Sequence, residues 1–335
     1  MFGYKASEYD KKVYEEELKD FLPDKIIDTH VHLSKAEFLT KESTTWVGKV
    51  SRECIYEDIK QTFLDILPGK QVKPVIMAMP TRDHLRGNAY IEDCIKQGEA
   101  GLFCTKFDTP LKDIEAAITK RGFKGIKPYP GNRPLYIPMN EVRIFDFMPH
   151  EQLKLLNDLG SVALLHIGRD KRLKDPVNVA QLMEIEEKYP NLKLIVAHIG
   201  RAYSPEDLGD AFETLKHTKN MMFDFCANTL SEAIEECLKA VGPKRLMYGT
   251  DMPVTKMRMR RITENGNYIN IVPKGLYGDV SGDVHMRETE DEELTCFLYE
   301  ELRAFKKAAQ NLGLTKEDIN DVFYGNASKL YGIEF

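Results

Sequence analysis

Residues 25–33 read KIIDTHVHL, and this stretch decides the fold. It is rich in apolar and β-branched residues, as a buried strand is. Strand side chains alternate faces, so Asp28, His30 and His32 share one face while Ile27, Thr29, Val31 and Leu33 share the other. The apolar face is expected to meet helices. The opposite face then carries ionisable groups toward the C-terminal end of the strand, where an ordinary core would have none.

Seven further apolar runs follow: KPVIMAMP (73–80), GLFCTKFDT (101–109), GFKGIKPYP (122–130), SVALLHIG (161–168), LKLIVAHIG (192–200), MMFDFCAN (221–228) and LMYGTDMP (246–253). Their spacing, mostly about 20–35 residues, suits one strand and one helix each. Eight such units predict a single (β/α)8 barrel domain over residues 1–335 rather than two domains. Helix signals lie between the runs. Pro110 opens 110–121, Pro176 opens 176–189, and Ser204-Pro205 reads as a cap followed by a first-turn proline. Residues 10–20 predict an extra helix before the barrel. Two tracts break the rhythm. Residues 131–146 read as a long loop, and residues 254–289, after the last strand, as a turn-rich insertion or lid.

Lys plus Arg total 47 against 53 Asp plus Glu, a net charge of −6. No global basic field exists to hold nucleic acid or an anionic membrane. No apolar stretch approaches the ~18 residues of a membrane span. None of the six cysteines forms a CxxC pair, which excludes a thiolate zinc knuckle and leaves reduced thiols as core filler. The opening MFGYKASEYDKKVYEEELKD is charged, so a cytoplasmic chain without a signal peptide is expected.

His166 stands near the end of the fifth run, His198 in the sixth and Asp251 in the eighth. With His30 and His32 they are five ionisable groups from four strands at one barrel mouth, where barrel active sites lie. A lone strand histidine is more often a hydrogen-bonded core or surface residue than a ligand. Independent histidines would scatter, so five in register point to a metal. Imidazole and carboxylate without thiolate suit zinc, and also Mn, Fe, Co or Ni, with availability favouring zinc. Lys127 and Tyr129 share the inward face of the fourth strand. Arg169 and Arg201 follow the late histidines in a repeated HIGR, and Arg258, Arg260 and Arg261 cluster in the insertion. These residues are expected to hold a small, carboxylate-bearing substrate. The plainer alternative is that the basic start of the insertion pairs with its own acidic tract, Asp279 to Glu293.

THVH, LLHIG, VAHIG and YGTDMP together resemble the amidohydrolase superfamily. GFKGIKPYP and the closing YGNASKLYGI resemble its amidohydrolase 2 branch, which includes aminocarboxymuconate semialdehyde decarboxylase and related decarboxylases and hydrolases. The resemblance spans roughly residues 24–253 and 320–333, and the loops at 34–52 and 254–289 have no counterpart in it. It implies that His30, His32, His166 and Asp251 hold one divalent metal, while His198 stays off the metal and orients water or polarises the substrate. In some members a carboxylated lysine at the position of Lys127 bridges a second metal; here one metal is expected. The implied enzyme is a metal-dependent hydrolase of a small anionic amide, lactone or ester. Asp251 would act as general base on a metal-activated water, and His198 would stabilise the oxyanion. The alternative is non-oxidative decarboxylation on the same site. A non-catalytic barrel would be expected to lack some of the five groups. A homodimer is compatible with this reading.

Overall fold

The computed structural model describes residues 6–38, 51, 53–80 and 83–335, so most of the loop at 34–52 lies outside the described residues. Eight parallel strands follow one another around a barrel: β1 (Lys25–Leu33), β2 (Gln71–Ala78), β3 (Ala100–Thr105), β4 (Gly125–Pro128), β5 (Val162–Leu165), β6 (Lys193–Val196), β7 (Met222–Asp224) and β8 (Leu246–Met247). The seam between β8 and β1 is bridged by three amides: Thr29 donates to the Tyr248 carbonyl (3.1 Å), Asp251 to that of His30 (2.8 Å) and His32 to that of Met252 (2.8 Å). The chain is a (β/α)8 barrel, as the eight apolar runs predict. Val75, Met77, Leu102, Leu164, Ile195 and Met247 fill its interior. A second, larger apolar layer, including Val31, Leu33, Ile76 and Phe103, lies between strands and helices. Gly125 serves the close packing of β4 on β5, since a Cβ there would lie 2.1 Å from the Val162 carbonyl oxygen.

Two expectations need correction. Ile27 packs inside the barrel, not against the helices, because the register of β1 shifts between Asp28 and Val31. Such a bulge changes the phase of the alternation; beyond it Val31 and Leu33 face the helices. The cap expected at Ser204 is present, its side chain accepting from the Asp207 amide, and the helix behind it, Pro205–Leu208, ends at Gly209 with φ +52°. The tract at 254–289 is a folded sheet rather than a loose loop. It contains β9 (Arg260–Glu264), β10 (Asn267–Pro273) and β11 (Met286–Thr289), with β9 antiparallel and β11 parallel to β10. Asn265 and Gly266, at φ +49° and +78°, make the two-residue hairpin turn for which Asn-Gly is the strongest short signal. This sheet has its own core, in which Met257, Met259, Val272 and Met286 pack with Ala227 and Phe297.

The other helices start close to their signals: Leu111–Lys120 follows Pro110, and Pro176–Lys188 is capped by the Asp175 side chain. Ahead of the barrel, Glu8–Val13 runs into a π-helical turn at Tyr14–Leu18. Among the described residues no helix is long and apolar enough to cross a membrane.

Candidate metal centre

β1 carries His30 and His32, and His166 directly follows β5. His198 and Asp251 lie beyond the short strands β6 and β8, in turns with left-handed backbone at φ +58° and +56°. Turn conformation, not strand alternation, therefore aims these two side chains. Residues outside glycine adopt this region only under local constraint.

The Nε2 atoms of His30 and His32 face each other at 3.2 Å. Asp251 Oδ1 lies 3.5 Å from the first and 3.3 Å from the second. Lys127 Nζ reaches His30 Nε2 at 3.0 Å, and the Tyr129 hydroxyl reaches His32 Nε2 at 3.2 Å. His166 stands off this group, its ring stacked 5.3 Å from that of Tyr129 and set edge-on 5.0 Å from that of His198. Its buried Nδ1 has no hydrogen-bond partner among the described residues. His30 Nδ1 lies 3.0 Å from Asp224 Oδ2. An ionised carboxylate only accepts, so Nδ1 carries the proton and Nε2 presents its lone pair.

Burial, then the charge of Lys127, pushes His30 well below the ordinary histidine range, and burial also lowers His32 and His166. Burial lowers Lys127 too. Burial would raise Asp251, but the imidazoles of His198, His32 and His30 outweigh it and hold its carboxyl at about 2. The site therefore converges neutral imidazole nitrogens and an anionic oxygen on one point. Ligand atoms of His30, His32 and Asp251 lie within 4.8 Å of one another, so the three could hold a divalent ion.

His198 Nδ1 meets the Cys226 carbonyl at 2.9 Å. That carbonyl belongs to a turn with Ala227 at φ +51°. The Ala227 amide donates to Glu301 Oε2 (2.6 Å), and its carbonyl accepts from Arg261 (2.8 Å). Burial pushes the Glu301 carboxyl well up. Asp224, Cys226 and Glu301 were not singled out from the sequence. For Asp224 a signal existed, a lone carboxylate between Phe223 and Phe225 at a strand's end.

A cavity of about 480 Å³ adjoins the site, lined in part by Tyr129, Asn132, His166, Arg169 and Arg201. Arg169 is engaged by Asp175, 2.9 Å away, and donates to the Glu141 carbonyl. Arg201 donates to the Arg169 carbonyl at 3.3 Å and has no acidic partner among the described residues. The insertion's arginines are placed otherwise. Arg258 pairs with the buried Asp10 at 2.6 Å, tying the insertion to the N-terminal helix. Arg260 pairs with Asp291 at the surface (3.1 Å), which is the internal pairing weighed as the alternative. Arg261 is half-buried among the rings of Tyr203 (4.5 Å), Tyr268 (4.9 Å) and Phe297 (4.7 Å). None of the three lines the cavity beside His166.

This placement makes a prediction about Arg258. Arg258→Ala should destabilise the fold by about 3 kcal/mol, the lower end for breaking a largely buried pair, as read by urea unfolding. The KM of the true substrate should not change. Burial would raise the Asp10 carboxyl, but hydrogen bonds from Arg258 and the Ser7 amide lower it on balance. A depressed folded pKa contributes stability above the ordinary carboxylate range and loses it as pH falls through that range. The difference between wild type and variant should therefore shrink on acidification.

Comparisons with known proteins bear on the fold and the family. No curated protein matches the chain significantly. Among solved structures, it superposes on a dihydroxybenzoic acid decarboxylase from Polaromonas sp. JS666 with bound manganese and 2-nitroresorcinol. The TM-score is 0.58 at 12% identity, covering 92% of this chain and 97% of that one. A 5-carboxyvanillate decarboxylase from Sphingomonas paucimobilis gives 0.57 at 11% identity, with coverages of 93% and 100%. A 4-oxalomesaconate hydratase from Rhodopseudomonas palustris gives 0.52 at 14%, with coverages of 92% and 95%. At these identities the likeness is one of fold. Residues 27–261, most of the chain and every strand of the barrel but the first two residues of β1, match the amidohydrolase family model, and the chain belongs to that family.

Proposed function

We propose that this chain is a metal-dependent hydrolase of a small, carboxylate-bearing amide, lactone or ester. The observation that carries the reading is the meeting of His30 Nε2, His32 Nε2 and Asp251 Oδ1 at one buried point. In this reading His30, His32 and Asp251 hold one divalent ion, and His166 completes the set. Zinc suits the donors, and manganese, bound in the Polaromonas neighbour, is the alternative. A bound ion would supply Lewis acidity, making water more acidic and polarising the substrate's oxygen.

The chain's own groups do the rest. Asp251, ionised at neutral pH, takes the proton of the attacking water on its carboxylate and later gives it to the leaving group. His198 donates from Nδ1 to the Cys226 carbonyl, because a carbonyl can only accept. Its Nε2 is then free to accept from the water and orient it. In the alternative imidazolium form, with a proton on Nε2 drawn from solvent and not from the attacking water, the ring would donate to the oxyanion and stabilise it. Lys127, at 3.0 Å from His30, belongs to the ion site; a carboxylated Lys127 with a second ion is the variant to exclude. Arg201, with Arg169 beside it, receives the substrate carboxylate, and Tyr129 lines the same pocket. The insertion acts as a lid or side wall, with Arg261 supporting the site rather than touching substrate.

Non-oxidative decarboxylation is the second reading, favoured by the decarboxylases among the structural neighbours. Asp251 would then deliver its proton to carbon. Metal analysis of the purified protein, followed by incubation with lactones, amides and aromatic acids, tests both. One ion per chain with a new acid group and no CO2 is the expected result. CO2 release selects the second reading, and full activity in chelator-treated, metal-free protein overturns both.

A further inference from the structure

We infer that Asp224 is the positioning residue of this site, setting the tautomer of His30 and the backbone at His198. The inference rests on the metal reading above. Asp224 closes β7 and is wholly buried. Its Oδ2 meets His30 Nδ1 at 3.0 Å. Its Oδ1 accepts from the amides of His198 (2.7 Å) and Cys226 (3.3 Å) and from the Cys226 thiol (2.9 Å). One carboxylate thus reaches the two histidines with different work to do.

The two oxygens do separable things. Oδ2 obliges the His30 proton to sit on Nδ1, and the lone pair then faces His32 and Asp251. Partners of this kind orient ligating imidazoles and raise their basicity. Oδ1 receives the His198 amide just where the backbone enters the left-handed region at φ +58°, a conformation that needs such support. Without that bond His198 would lose its aim.

A rival use of the same atoms exists. Ligand atoms of His30, His198, Asp224 and Cys226 also lie within 4.8 Å of one another, so Asp224 could itself be a ligand. The Cys226 sulfur stands 3.0 Å from His30 Nδ1 and 3.1 Å from His198 Nδ1, but the oxygen partners of these nitrogens argue against it, because Nδ1 of His30 meets Asp224 Oδ2 and that of His198 the Cys226 carbonyl. The Cys226 thiol also donates to Asp224 Oδ1 at 2.9 Å, and a thiol that keeps its proton in such a bond is a poor ligand.

Asp224→Asn separates the roles. The amide oxygen can keep both backbone bonds, while its NH2 replaces Oδ2 and donates. His30 Nδ1 must then accept, the ring proton moves to Nε2, and the lone pair leaves the ion site. In metal-free protein, long-range nitrogen–proton NMR of the His30 ring should show Nδ1–H in the wild type and Nε2–H in the variant. Cobalt affinity, read by chelator competition, should fall about 10–100-fold, with the metal-free unfolding temperature nearly unchanged. An Nε2–H tautomer in the wild type overturns the inference even if the variant fails to fold. So does a variant that keeps tautomer and affinity and loses only stability. A thiolate-to-cobalt absorption band abolished by Cys226→Ser would place the ion among His30, His198, Asp224 and Cys226 and overturn the inference. Should the wild type bind no cobalt yet show the Nδ1–H tautomer and its switch, the metal reading fails and the positioning role stands.

Discussion

Asp251→Asn should lower kcat by about 10³-fold or more, within the range that loss of a general acid–base group produces, while the barrel stays folded. The fold is spared because Asp251 contributes to the barrel seam through its backbone, whose amide donates to the His30 carbonyl at 2.8 Å. Asparagine also tolerates the φ of +56° better than other residues that bear a Cβ. What the substitution removes is the negative charge and the ability to take a proton. Metal affinity should fall as well, since an amide oxygen is a weaker ligand than a carboxylate. Steady-state kinetics with metal analysis on the same sample separates the effects: activity should remain low even when excess metal refills the site. Restoration of wild-type turnover by metal alone would remove Asp251 from proton transfer and leave it a ligand only.

His198→Asn should behave differently. It should lower kcat by roughly 10²-fold or more, as removal of an oxyanion donor does, while the protein keeps its metal. Asparagine again suits the backbone, at φ +58°, and its NH2 can donate to the Cys226 carbonyl in place of Nδ1. The imidazole Nε2 has no replacement. Parallel loss of metal and activity would make His198 a ligand, and would point to a site with two ions.

The barrel was legible because apolar runs at βα spacing leave few alternatives, and because β1 carries His30 within its bulge and His32 just past it, so that the two meet at one point. The reach of the late strands was not legible. The runs at 192–200 and 246–253 continue the apolar pattern beyond their strands, so His198 and Asp251 read as strand residues although turns place them. Asp224 was hidden for a related reason. One carboxylate in a run of apolar residues lacks the histidine pairing that made β1 stand out, and its meaning comes from partners far away in the chain. Arg258 shows the same limit. Its partner Asp10 lies 248 residues away, and no local pattern joins the two. The insertion's hairpin, by contrast, was written in Asn265-Gly266 and obscured by the length of the tract around it.

The Ala227 peptide has a consequence for how this protein can be engineered. Its amide is held by Glu301 and its carbonyl by Arg261, and the neighbouring Cys226 carbonyl holds His198. Glu301 lies beyond the segment that matches the family, and Arg261 is that segment's last residue. Catalytic modularity therefore does not follow the boundary of shared sequence. A chimera that grafts a relative's loop in place of residues 254–289, or a minimal barrel trimmed to 27–261, would keep every candidate ligand and still release the turn that aims His198. Transplanting specificity into this scaffold requires moving Arg261, Glu301 and the 225–228 turn together as one inheritable unit.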